Sequence, residues 1–301
     1  MQPWTASLCL FCAMALVGSN VPLGKVIVAQ IPVLLFIFFR FALSVIALIV
    51  LLPSEKSTSK MRKIRELNGR EWGLIALMSF IGMVLFSVLI LEGVKRTAAT
   101  DAGIITATMP AMVAVLGLIV FREMPTRLMI TAIALAVLGI GLVQIDPGDI
   151  EQGSLVGNLM VVGAVVCEAT FVILAKGLSR SLSPVRLALA ANVAGLIFIL
   201  PLAWGEIVTF DYGSINITIG LLVIWYILAA SVFALLLWYR GLPHVDTAIA
   251  GLMTTALPLS AMTVSVLFLG EPLSWLQLAG ASMVIAAIWL GAFSRSRVIP
   301  R

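Results

Sequence analysis

Apolar residues run along this chain in ten long blocks, at about 5–24, 32–52, 71–94, 98–121, 127–145, 155–175, 184–204, 217–239, 247–269 and 273–293. Each block is close to the ~20 residues that an α-helix needs to cross the hydrocarbon core of a bilayer. None shows the strict alternation of a barrel strand. The interruptions carry breaker chemistry: Gln30-Ile31-Pro32, Asp146-Pro147-Gly148-Asp149, Ser183-Pro184, Gly241-Leu242-Pro243 and Glu271-Pro272. The pattern predicts an all-α membrane protein of ten transmembrane helices, with no stretch polar and long enough to form a separate soluble domain.

Composition and charge sharpen this picture. Hydrophobic residues make up 61% of the 301 positions and charged residues only 11%, against about 25% charged in soluble domains. The net charge of +5 does not point to nucleic acid, because the basic residues stand at the ends of apolar runs. With a cytoplasmic N-terminus, the inner loops and tail hold fifteen Lys and Arg and the outer loops three (Lys25, Lys95 and Arg96), with Arg40 inside a span. That bias predicts both termini on the cytoplasmic side of a cell (inner) membrane. Trp4, Trp72, Trp204, Trp238, Tyr239 and Trp275 fall near predicted span ends, as interfacial anchors do. No Lys or Arg precedes Lys25, so the first block is expected to be a retained helix rather than a cleaved signal.

Shifting the chain by 148 residues aligns Gly93–Leu142 with Gly241–Leu290 at nine identical positions of fifty. The coincident residues are informative: Gly93/Gly241, Ala102/Ala250, Gly103/Gly251, Thr106/Thr254, Pro110/Pro258 and Glu123/Glu271. A second echo, four residues out of register, pairs Pro32 with Pro184 and Arg40 with Asn192. Residues 1–146 and 147–301 thus form two repeats of five spans within one membrane domain. An odd number of crossings inverts the second copy, an architecture that lets one midplane site open to either side in turn.

These features resemble the drug/metabolite transporter superfamily, and within it the ten-helix EamA type, over essentially the whole length. The paired stretches Ala102–Pro110 and Ala250–Pro258 and the acidic turns Arg122-Glu123 and Gly270-Glu271-Pro272 carry the resemblance. It implies a secondary transporter working by alternating access, most similar to bacterial exporters of amino acids, the aromatic amino acid exporters among them.

Proline inside a helix removes a hydrogen bond to the carbonyl four residues back. Pro110 and Pro258 therefore single out Thr106 and Thr254 as hinge or ligand positions, with helix packing as the plainer alternative. Arg40 and Glu168 are charges within spans, where they need a partner or a wet cavity. They can pair with each other, or Glu168 can face the cavity as a site for an amine or a proton. Asn20 interrupts the first block, and Asn192 lies mid-span; both suit a ligand or an interhelical hydrogen bond. Met83, Met109, Met112, Met253, Phe86 and Trp225 are apolar candidates for the cavity wall, Trp225 also for simple packing. Substrate-binding or gating candidates are thus Asn20, Arg40, Met83, Thr106, Pro110, Glu168, Trp225, Thr254 and Pro258. Glu123 and Glu271 read as caps on the helices that follow them, and His244 as a solvated loop residue.

No catalytic set is present in the sequence: there is one histidine, no H-E-x-x-H and no cysteine–histidine cluster. Cys9 and Cys12 form a C-x-x-C inside an apolar run, where small buried residues are the expected role. No cofactor and no metal is called for, and the expected partners are a small-molecule substrate and the lipid bilayer. Nothing in the chain demands an oligomer, so a monomer is compatible with it. Within transport, drugs or nucleotide-linked sugars are the competing solutes, although a single mid-span base argues against phosphorylated ones. Outside transport, a lipid scramblase and a purely structural membrane protein remain as readings.

Overall fold

The computed structural model describes residues 1–54, 66–94, 96–97, 102, 105–144, 154–269, 274–292 and 297–298. Among the described residues, ten longer apolar helical stretches follow one another. They are α1 (Pro3–Ser19), α2 (Val33–Leu51), α3 (Gly69–Ser79, a π-helical segment Phe80–Leu85, then Phe86–Val94), α4 (Met109–Phe121) and α5 (Arg127–Gln144). In the second half come α6 (Leu155–Leu178), α7 (Pro184–Thr209), α8 (Ile217–Tyr226, a π-helical segment Ile227–Phe233, then Ala234–Gly241), α9 (Thr247–Met253 and Ala256–Leu269) and α10 (Trp275–Ala292). Six of these helical stretches are long and apolar enough to cross a membrane, and four are shorter. The chain is an all-α membrane protein.

Local chemistry sets the helix starts. Asn68 and Glu71 form a reciprocal capping box at α3, each accepting the other's backbone N–H at 2.9 Å. Asn216 accepts the Ile219 N–H at the start of α8, and Ser183 with Pro184 opens α7. α1 ends at Ser19, and a short helix at Val21–Val28 continues the path after Asn20.

The helix pairings repeat between the halves. α1 packs against α8 and α9 of the second repeat, while its counterpart α6 packs against α3 and α4 of the first. The pairs α2–α7, α5–α10 and α4–α9 also touch, each joining a helix to its own equivalent. Exchanging the two halves leaves this set of contacts unchanged, as an inverted repeat requires. The π-helical segments obey the same symmetry, since Phe80–Leu85 moved by 148 residues falls within Ile227–Phe233.

Lipid tails are as apolar as the helices, so association rests on close packing of small residues. α5 and α10 meet through Gly139 and Gly280, where a Cβ on Gly280 would lie 2.4 Å from the Gly139 carbonyl oxygen. The outward faces stay apolar for the bilayer: Ile119, Val208, Ile217 and Leu267 are all exposed. A carboxylate from one repeat also tethers the other, because Glu206 of α7 accepts the Leu35 N–H in the first turn of α2 at 2.8 Å.

Candidate functional site

Between the repeats lies a cavity of about 280 Å³. Its walls come from α1 (Val17), α3 (Phe86, Ile90), the approach to α4 (Thr106, Met109), α5 (Ile140), α6 (Ala164, Val165, Glu168) and α9 (Thr254, Leu257, Pro258). Among these described lining residues Glu168 is the only charge, and Thr106 and Thr254 are the only hydroxyls. The wall is otherwise apolar, with Phe86 and Met109 as its large side chains.

Helices α4 and α9 both break beside this cavity. Residues 105–107 are helical, Thr108 is a turn whose N–H bonds the Ile105 carbonyl at 3.0 Å, and the helix resumes at Met109. α9 breaks at Thr254-Thr255, whose N–H groups bond the carbonyls of Gly251 and Leu252, each at 3.2 Å. The expected mid-helix kinks are therefore helix interruptions, and Pro110 stands in the first turn of its half-helix, where a missing N–H costs nothing. The carbonyl expected to be freed by Pro258 is also occupied: the Leu257 N–H reaches back to Thr254 O at 3.1 Å. The Thr254 hydroxyl donates to the Gly251 carbonyl at 2.6 Å. The consequence for chemistry is that the first turns of two half-helices border the same cavity as the Glu168 carboxylate.

The structure brings together Thr106, Glu168, Thr254 and Pro258, and it places the other candidates elsewhere. Pro110 is buried in the α4–α9 contact, where its carbonyl oxygen lies 3.1 Å from where a Cβ on Gly251 would be. Met83 is buried in the π-helical segment of α3, its sulfur 3.7 Å from the Ser79 hydroxyl, which donates to the Ala191 carbonyl of α7 at 2.8 Å. Asn20 is fully buried and spends its amide N–H on the Leu16 carbonyl at 3.1 Å, capping the end of α1. Arg40 does not pair with Glu168; its guanidinium lies 5.3 Å above the Phe41 ring, and its Nε has no hydrogen-bond partner among the described residues. Trp225 is 58% exposed on the outside of α8 and lines neither the cavity nor the helix core. Asn192 donates to its own helix, at the Ala188 carbonyl, at 2.8 Å. His244 is exposed beyond the end of α8.

One cluster was not anticipated. Lys176, counted among the fifteen inner-loop and tail bases, is fully buried in the last turn of α6. Its ammonium donates to Glu123 Oε1 at 2.6 Å and to the Thr247 hydroxyl at 2.8 Å. Glu123 Oε2 in turn accepts the Thr247 N–H at 2.5 Å. Glu123 therefore caps α9 of the opposite repeat rather than the helix that follows it; Glu271, its counterpart, lies outside the described residues. Burial works against the Glu123 charge, but hydrogen bonds from Lys176 and Thr247 outweigh it and hold the carboxyl below the usual carboxylate range. The Lys176 ammonium and the Arg180 guanidinium also lie 5.3 and 5.4 Å from the Phe121 ring centroid. Glu123 and Met124 pair antiparallel with Val298 and Arg297, which brings the C-terminal tail to this same end of the bundle.

Comparison with known proteins agrees with the geometry. The model of the EamA-like transporter family matches residues 4–145 and again 155–292. The chain is 32% identical over 292 residues to "Uncharacterized transporter YetK" of Bacillus subtilis strain 168, covering 96% of this chain and 87% of that one. It is 23% identical over 227 residues to a protein of Streptantibioticus cattleyicolor named "Probable terminal-alkyne amino-acid exporter", covering 75% of each. A solved crystal structure superposes at a TM-score of 0.79 over 97% of both chains with 13% identity, which speaks for the fold alone. With both repeats matched by one family model, this chain belongs to the EamA-like transporter family.

Proposed function

We propose that this transporter exports small zwitterionic amino acids with apolar, including aromatic, side chains by alternating access, from a cell membrane in which both termini face the cytoplasm. The observation that carries the reading is a single carboxylate set beside two helix breaks in one apolar cavity. Glu168 offers a carboxylate to an ammonium group, and the breaks of α4 and α9, with the Thr106 and Thr254 side chains, border the place of a substrate carboxylate. Phe86, Met109 and Leu257 then receive the side chain. A cavity of about 280 Å³ lies just below the ~300–1,000 Å³ of drug-sized sites, which favours a small metabolite over a drug or a nucleotide-linked sugar. The relative named as an amino-acid exporter supports the same class.

Purified protein in sealed vesicles, with and without a proton gradient, tests the assignment by counterflow of labelled L-phenylalanine, L-lysine, a nucleotide sugar and a fluorescent phospholipid. Saturable movement of phenylalanine is expected. A charge-assisted hydrogen bond contributes about 1.5–3 kcal/mol, so Glu168→Gln should weaken apparent affinity by about 10–150-fold without loss of folded protein. Movement of nucleotide sugar but of no amino acid refutes the substrate class, and movement of the lipid probe alone makes the protein a scramblase.

A further inference from the structure

We infer that Lys176, Glu123 and Thr247 form the bolt that shuts the cavity at the end of the bundle marked by the C-terminal tail, and that each transport cycle breaks it. The three side chains come from three separate places: the strand after α4 in the first repeat, the end of α6, and the first turn of α9 in the second repeat. Lys176 and Thr247 stand on helices that line the cavity, and Glu123 follows the end of a third, α4. On α6, Glu168 faces the cavity and Lys176 follows eight residues later, about 12 Å along the axis at 1.5 Å per residue.

Between these levels α4 and α9 are closed on each other. A Cβ on Gly251 would meet Val113 at 2.8 Å, and one on Gly117 would meet the Thr247 side chain at 2.7 Å. Thr247 therefore takes part both in the helix contact and in the polar cluster. Opening this end of the cavity requires α4 and α9 to part, and that motion pulls the Thr247 N–H and hydroxyl away from Glu123 and Lys176.

The chemistry suits a bolt better than a staple. A buried ion pair is seldom more stabilising than well-packed apolar residues of the same volume, so permanent closure does not call for one. What charges add is a second stable condition. Buried, they satisfy each other; parted and wetted, each regains its hydration. Apolar residues parted in the same way would meet water unfavourably. Lys176, Glu123 and Thr247 are thus positioning residues for the transport cycle, remote from the solute itself.

The test needs no identified solute, so its outcome is independent of the amino-acid assignment. In a background without Cys9, Cys12 and Cys167, Thr254→Cys places one thiol at the cavity wall. Sealed vesicles are sorted by accessibility of a C-terminal tag and treated with an impermeant maleimide from the tail side or from the opposite side. Glu123→Gln should raise labelling from the tail side about tenfold, the factor given by a bias of about 1.4 kcal/mol, and lower it from the opposite side. Thr247→Val keeps the backbone N–H and removes only the hydroxyl; it should shift labelling in the same direction by less, and it carries the test if Glu123→Gln does not fold. Unchanged labelling from both sides overturns the inference. So does a rise from both sides alike with a lower melting temperature, which is the behaviour of a staple that only holds the fold together.

Discussion

Replacing Gly18 by Ala tests whether the cavity wall depends on backbone contact between α1 and α9. A Cβ at Gly18 would lie 2.1 Å from the Leu257 carbonyl oxygen and 2.9 Å from its carbonyl carbon. Even a close carbon–oxygen contact sits near 3.3 Å, so the two helices must move apart by about 1.2 Å. Neither clashing atom is on a flexible side chain, which puts the cost near the top of the about 1–3 kcal/mol typical of overpacking. At about 2 °C per kcal/mol for a chain of this size, the melting temperature should fall by about 4–6 °C. Thermal unfolding of detergent-purified protein, followed by tryptophan fluorescence, reads the change. Gly205→Ala is the control: nothing lies within 4 Å of its added carbon, and the swap should be neutral or stabilising by up to about 1 kcal/mol. Because Val17 and Leu257 both line the cavity, Gly18→Ala should also slow transport. A Gly18→Ala protein that melts at or above the wild-type temperature refutes the account of this contact.

Three other outcomes are expected. Pro258→Ala supplies an N–H for the Thr254 carbonyl, now bonded by Leu257, and should close the break in α9; Pro110→Ala acts at the equivalent place, and both should slow transport more than they reduce folded yield, so wild-type rates in both reduce the prolines to packing features. Glu123, held below its usual range, contributes stability that is present above about pH 4.3 and is lost as pH falls through its folded value. Melting temperatures measured down the acid range should therefore converge for wild type and Glu123→Gln, and parallel curves contradict the coupling. Cysteine tags at Met1 and Arg301 should resist an impermeant reagent on intact cells while a tag at Gly148 reacts; labelling of either terminus overturns the ten-span topology with both ends cytoplasmic.

The ten helices and their two-repeat arrangement were legible because run length and the coincidences at a 148-residue shift survive without knowledge of packing. Glu168, Thr106, Thr254 and Pro258 were legible for a related reason. A charge in an apolar run, or a polar residue repeated in both halves, stands out in one dimension. Trp225 and Met83 were not, because these helices are apolar on the lipid face and the packed face alike. Sequence periodicity then gives no sign of which way a side chain turns, and the two ended on the lipid side of α8 and inside α3. The bolt was hidden for a different reason. Lys176 and Glu123 are 53 positions apart, Lys176 and Thr247 are 71 apart, and Glu123 and Thr247 are 124 apart. A lysine just past an apolar run reads as a loop residue until its partners are in place. The breaks in α4 and α9 were legible as prolines but not as interruptions, since the tightened turns at Thr108 and Thr254 depend on local backbone bonding.

The π-helical segments in α3 and α8 each hold one more residue than an α-turn would. One residue corresponds to about 100° of rotation in an α-helix. Face assignments made upstream of Phe80 or Ile227 therefore run out of phase downstream of Leu85 or Phe233. A mutational scan of α3 should show a regular sensitivity period up to Ser79, a jump in phase, and the same period resumed from Phe86, with an equivalent jump in α8. It also gives each helix an uneven tolerance of indels: removing one residue within the wide segment converts it to an ordinary turn, whereas removing one from the regular turns before it in α3 rotates the cavity residues Phe86 and Ile90 relative to the helix start. Homologous chains of different length in these helices are thus expected to differ inside the wide segments.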